Sequence, residues 1–172
     1  MNFRSWLRSG LVAASLFAAS AASAAGGKAS TFENALLKLI FNGTTITGIA
    51  DNTATTPATV LCVALHTADP GVGGSQTTSE AAYTSYARVA VNRNTGGWTV
   101  STNTVAPAAN ITFPAATGGS ETEIYFSIGI PTSGSTCTGA TTIMYRGPIT
   151  PNLTISSGVT PQLTTSTLAT EN

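Results

Sequence analysis

Val60-Leu61-Cys62-Val63-Ala64-Leu65-His66-Thr67 is the stretch on which the fold turns. A short, near-continuous apolar run bounded by turn residues reads as a strand buried on both faces, at the centre of a sheet. Asp69-Pro70-Gly71 ends it with a turn, and a Gly/Ser/Thr loop follows over residues 71–79. Working outward, residues 86–92 alternate between apolar and polar, and residues 97–100 and 110–113 are short strands bracketed by turn residues. Residues 123–130 form a second core strand, and 143–147, 153–155 and 162–164 complete the set. Short strands punctuated by Gly, Pro and Asn every ten or so residues predict an all-β domain, a β-sandwich or jelly roll.

The N-terminal side reads differently. Arg4 and Arg8 precede an apolar run over residues 11–19, and Ala22-Ser23-Ala24 has the small-x-small form of a signal-peptidase site. Residues 1–24 are therefore expected to be an export leader, cleaved before Ala25; an Ala-rich arm is the alternative. The apolar run is too short to span a bilayer, and no other stretch is long or apolar enough. Residues 25–58 form an arm with one short amphipathic helix. Phe32, Leu36, Leu39 and Ile40 repeat at helical spacing, Ser30 and Glu33 can form a capping box, and Asn42-Gly43 supplies the stop. Such a helix must lie on something, either the β-domain (residues 59–172) or a neighbouring subunit. Residues 51–59 form a polar loop carrying Pro57.

The 172 residues amount to one domain, and charged residues make up 8% of them, against roughly 25% in ordinary globular proteins. Thr, Ser, Asn and Gly must cover the surface instead, and Thr suits a pleated strand. The formal net charge is +0, and removal of Arg4 and Arg8 leaves five basic residues against seven acidic ones. Neither sign dominates, which argues against nucleic-acid binding. Low charge suits a surface that packs against copies of itself or a neutral partner, or else an inert secreted exterior.

Few residues invite chemistry. His66 is the single histidine; it has no Gly-x-Ser-x-Gly nucleophile elsewhere in the chain and cannot make a His-rich metal site alone. A structural role, satisfied by backbone or the following turn, is expected. Glu121 and Glu123 share a strand face, as a glycosidase carboxylate pair might be imagined to do. Exposed edge charges that block strand pairing explain them more simply. The acidic residues lack calcium-loop spacing and there is no phosphate loop, so neither cofactor nor metal is expected. Cys62 and Cys137 are the two cysteines. Export would favour a disulfide between them, contributing roughly 3–4 kcal/mol by constraining the unfolded chain; a buried free thiol at Cys62 is the alternative.

One longer pattern adds to this. The segment 61–71, with its His66-Thr67-Ala68-Asp69-Pro70-Gly71 turn, is followed by Gly74-Ser75-Gln76-Thr77-Thr78-Ser79-Glu80 and by Tyr86-Ala87-Arg88. Together with Gly97-Trp98-Thr99-Val100, Ile111-Thr112-Phe113-Pro114, Phe126-Ser127-Ile128-Gly129 and the helix around residues 32–41, it resembles a family of small tailed-phage virion proteins, tail-fibre-like or head-decoration proteins. The resemblance implies a non-enzymatic β-domain located in a virion. It implies a homo-oligomer, a trimer for fibre-type assemblies, with other virion proteins and a host-surface receptor as partners, and it transfers no catalytic residues. Two departures stand out: the export leader, and a segment over residues 135–142 that is longer than usual and holds Cys137. A secreted, prophage-derived bacterial surface or binding domain of the same fold is the alternative.

Overall fold

The computed structural model describes residues 30–45, 58–167 and 169–170. The leader, the side chain of the Ser30 cap and most of the loop around Pro57 lie outside the described residues. After α1 (Ser30–Asn42) come β1 (Val60–His66), β2 (Val89–Asn92), β3 (Trp98–Ser101), β4 (Thr104–Pro107) and β5 (Ile111–Thr112). Then follow β6 (Glu121–Gly129), β7 (Ile143–Ile155), β8 (Gln162–Leu163) and β9 (Ala169–Thr170). All pairings are antiparallel, in sheets ordered β2-β1-β6-β7, β3-β4-β9 and β5-β8. The fold is all-β with one short helix, as the turn-punctuated pattern predicts.

β1 is buried along its whole length, which is why its sequence is apolar throughout rather than alternating. Leu61, Val63 and Leu65 point into the main core, where Phe126 and Ile128 of β6 join them. Trp98, Val105, Ile111 and Leu163 of the two smaller sheets close the same core from the other side, a sandwich arrangement. Cys62, Ala64 and His66 alternate to the opposite face. That face is covered by loops, not by a second sheet.

The helix is satisfied within its own chain. Leu37 and Phe41 are fully buried, and the Phe41 ring meets Trp98 edge-on at 4.9 Å and Tyr145 at 5.5 Å. Each such side chain removed from water is worth about 1.5–3 kcal/mol. Arg93, at the end of β2, donates from Nε to the Ile40 carbonyl and from its terminal nitrogens to the carbonyls of Leu39 and Ala58. A cation thus sits on the last turn of α1, where the helix leaves carbonyls unpaired and the dipole is negative.

Two elements were not legible as strands. β4 pairs with β3 from Trp98↔Pro107 to Ser101↔Thr104, and β9 pairs with β4; both are short and lack an apolar run. Residues 143–147 and 153–155 prove to be parts of one strand, β7, with an irregularity opposite Ile124. Few of the described charges are fully exposed. Among the described residues, Lys38 and Asp69 are the exposed charged side chains, and the rest are buried or half-buried.

Candidate functional site

The loop-covered face of β1 and β6 carries a continuous hydrogen-bonded chain of polar side chains. Its anchor is His66, fully buried, with Nδ1 2.9 Å from the Thr78 carbonyl and Nε2 2.8 Å from Ser127 Oγ. A carbonyl only accepts, so Nδ1 carries the proton and Nε2 accepts from the Ser127 hydroxyl. Burial lowers the imidazole pKa from its ordinary value, outweighing the Thr78 bond that raises it. The neutral ring is the form this geometry holds.

Ser127 Oγ accepts from Gln76 Nε2 at 3.1 Å, and the same amide nitrogen donates to the Cys62 carbonyl at 2.8 Å. Gln76 Oε1 accepts from the Thr141 hydroxyl, which accepts in turn from Arg88 at 3.0 Å. Gly129 makes this approach possible: a Cβ there would lie 2.5 Å from the Gln76 amide carbon. Arg88 forms a two-pronged pair with Glu80, Nε to Oε1 at 2.6 Å and Nη2 to Oε2 at 2.7 Å. It also donates to the carbonyls of Cys137 and Gly139. The Tyr86 hydroxyl donates to Glu80 at 3.1 Å and accepts from the Leu65 amide; burial first, and the Glu80 charge next, raise its pKa far above the ordinary value. Cys62 and Cys137 complete the clamp with a disulfide, Cα atoms 5.4 Å apart. Loops 74–80 and 132–142 are thereby fastened to the sheet by one covalent bond and a network in which donors and acceptors match.

This accounts for the pattern of the His66 turn followed by Tyr86-Ala87-Arg88: the turn brings Thr78 and Glu80 back over β1, where Tyr86 and Arg88 meet them. The sequence marked those residues without their roles. Gln76 appeared only as one residue of the 74–80 stretch and Thr141 carried no signal, since a lone amide and a lone hydroxyl in polar loops resemble any surface pair.

The expectation for Glu121 and Glu123 needs correcting. β6 is an interior strand between β1 and β7, so its carboxylates do not guard an edge. Glu121 Oε1 accepts from the backbone amides of Ala82 and Tyr83 at 2.9 and 2.7 Å. Glu123 is fully buried and neither carboxyl oxygen has a hydrogen-bond donor. Burial, with the Glu121 carboxylate beside it, pushes the Glu123 carboxyl up to about 8. Strand period placed both residues on one face, but it did not show which face.

Ser127 and His66 have the spacing of a nucleophile and its base, yet Ser127 is fully buried beneath Gln76 and the ring's second nitrogen faces a carbonyl rather than a carboxylate. Among the described residues, no three of His, Cys, Asp and Glu gather where they could hold a metal. No described helix is long and apolar enough to cross a membrane. A surface groove of about 440 Å³ runs between β7 and the β8 segment, lined by Phe126, Pro148, Pro151, Gln162 and Thr167 among others, none of them charged.

Fold and clamp define a small, disulfide-stapled all-β domain whose polar interior is devoted to holding loops on a sheet. Residues 27–171 match the family model described as podophage GP4 fiber I protein gp80. The chain belongs to that family of phage fibre proteins, a virion structural class, and the match spans both helix and β-domain. No curated protein matches the chain.

Proposed function

We propose that this chain is a non-enzymatic structural subunit of a phage tail fibre, not a capsid-decoration protein, and that it works as a homo-oligomer within the virion. The family's description as a fibre protein carries this reading. The closed Ser127–His66 pair supports a role without catalysis, because the Gln76 loop leaves no path for a substrate. Among the described residues, a surface with Lys38 and Asp69 as its exposed charges supports packing between copies, since little repulsion keeps them apart. The helix does not add to it, because α1 lays Leu37 and Phe41 on its own domain. Mass spectrometry of purified particles tests the proposal: the peptide Val89-Ala90-Val91-Asn92-Arg93 should be found in virions and assigned to the tail after dissociation of head from tail. Its absence from particles, with abundance in the medium, would refute the virion role.

A second reading rests on a specific observation. The Cys62–Cys137 disulfide and the leader-like first 24 residues fit a protein matured in an oxidising compartment, as a secreted, prophage-derived surface domain would be. The same experiment, extended to the culture medium, separates the two.

A further inference from the structure

Segment 79–85 is bounded by two non-glycine residues in the left-handed region, Ser79 at φ 51° and Ser85 at φ 80°. Such residues hold their conformation only when their surroundings fix it. Outer contacts fix the two ends: Thr67 bonds to the Ser79 carbonyl, and Ser85 Oγ meets Thr117 Oγ1 at 2.6 Å. Between them, the Ala81 amide bonds to the Leu65 carbonyl and the Thr84 amide to the Gly118 carbonyl, and the Glu121 carboxylate takes the amides of Ala82 and Tyr83. Directly beside that carboxylate lies Glu123, buried and without a donor.

This closed arrangement favours a protonated Glu123. The acid can then donate to the Glu121 carboxylate, whose Oε1 also accepts from the two amides. When Glu123 loses its proton, a fully buried carboxylate without a donor lies beside the half-buried Glu121 carboxylate. The titratable groups facing the site are Glu121 on the same strand and Tyr83 from the covering segment. Tyr83 gives its hydroxyl proton to the Pro114 carbonyl. Across β6, β7 offers Leu153 and Thr154 opposite Glu123 and Thr122, neither of which titrates.

We propose that Glu121 and Glu123 form a proton-held latch for the Ala82-Tyr83 backbone: with Glu123 protonated these two amides are pinned to β6, and with Glu123 ionised they are released from Glu121 while the rest of segment 79–85 and the sheet stay closed.

Amide hydrogen exchange on the full chain, read residue by residue between pH 5 and 9 and corrected for intrinsic exchange, tests this. Protection at Ala82 and Tyr83 should fall by about tenfold per pH unit across the range between the ordinary glutamate pKa and that of buried Glu123, then level off. Protection at Val63 and Leu65 should not follow. In Glu123→Gln the Ala82 and Tyr83 profile should be flat. A flat profile in the unsubstituted protein, an equal fall in Glu123→Gln, or a parallel fall at Val63 and Leu65 would each overturn the latch. Should the variant misfold, the Glu123 carboxyl carbon can be titrated by NMR in the unsubstituted protein; a midpoint near about 4.3, the ordinary value, also overturns it.

Discussion

Replacement of Gly129 by alanine puts the polar clamp to the sharpest test. Gly129 lies at the end of β6, and its φ is not in the left-handed region, so alanine is tolerated by the backbone and even lowers the entropy of the unfolded chain slightly. The cost comes from one neighbour. The new Cβ would lie 2.5 Å from both Cδ and Oε1 of Gln76 and 3.0 Å from Nε2, too close for any contact, so the amide must leave. Its departure breaks the bonds to the Cys62 carbonyl, Ser127 Oγ and the Thr141 hydroxyl. At about 1 kcal/mol for each bond, and more where a buried partner is left unpaired, the loss is about 2–4 kcal/mol. Gln76→Ala alone should cost a similar amount. The double variant should cost no more than Gln76→Ala, because the alanine methyl enters space the amide has vacated; the two changes then couple by about 2 kcal/mol or more. Urea unfolding of the four oxidised proteins gives the cycle. A change under about 0.5 kcal/mol for Gly129→Ala, or additive costs in the double variant, would refute the account of the clamp.

Reduction, or joint replacement of Cys62 and Cys137 by serine, should lower stability by about 4 kcal/mol through the 75-residue separation the bridge spans; denaturant titration with and without reductant checks it. Arg93→Met should free the Leu39 and Ile40 carbonyls, costing about 1–2 kcal/mol and raising hydrogen exchange in α1 while the β1 amides stay protected. Two buried groups give the melting temperature opposite pH slopes. His66, lowered by burial, binds fewer protons folded than unfolded, so its contribution is lost as pH falls below about 6.5. Glu123, raised to about 8, binds more protons folded, so its contribution is full below about 4.3 and lost as pH rises to about 8. His66→Ala should remove the first slope and Glu123→Gln the second, and neither should abolish a catalytic reaction; slopes that survive the substitutions would contradict these assignments.

The sequence made the sheet legible wherever burial was unbroken. β1 is apolar on both faces because loops close the side that a second sheet would otherwise cover, and the run from Val60 to His66 records that directly. The helix was equally plain from the spacing of its apolar residues. β4 and β9 were not, because half-buried strands of this length owe their state to the partner strand rather than to their own composition. The site was legible only in outline. His66, Tyr86 and Arg88 stood out as a pattern, but Gln76 and Thr141 matter through contacts that lie 51 and 65 residues away along the chain, and no local pattern encodes these. Glu123 misled for a related reason: a carboxylate is normally at the surface, and only the packing of Tyr83 and β7 around it shows that this one is not.

The near-absence of exposed charge has a kinetic side. With Lys38 and Asp69 as the exposed ions among the described residues, the described surface offers little charge to draw in or turn an approaching partner. Encounters through this surface should proceed at the unsteered rate, about 10⁵–10⁶ per molar per second. Changing the ionic strength should leave that rate nearly constant, since there is little for salt to screen. A particle carrying such domains would meet the same surface in dilute water and in brine.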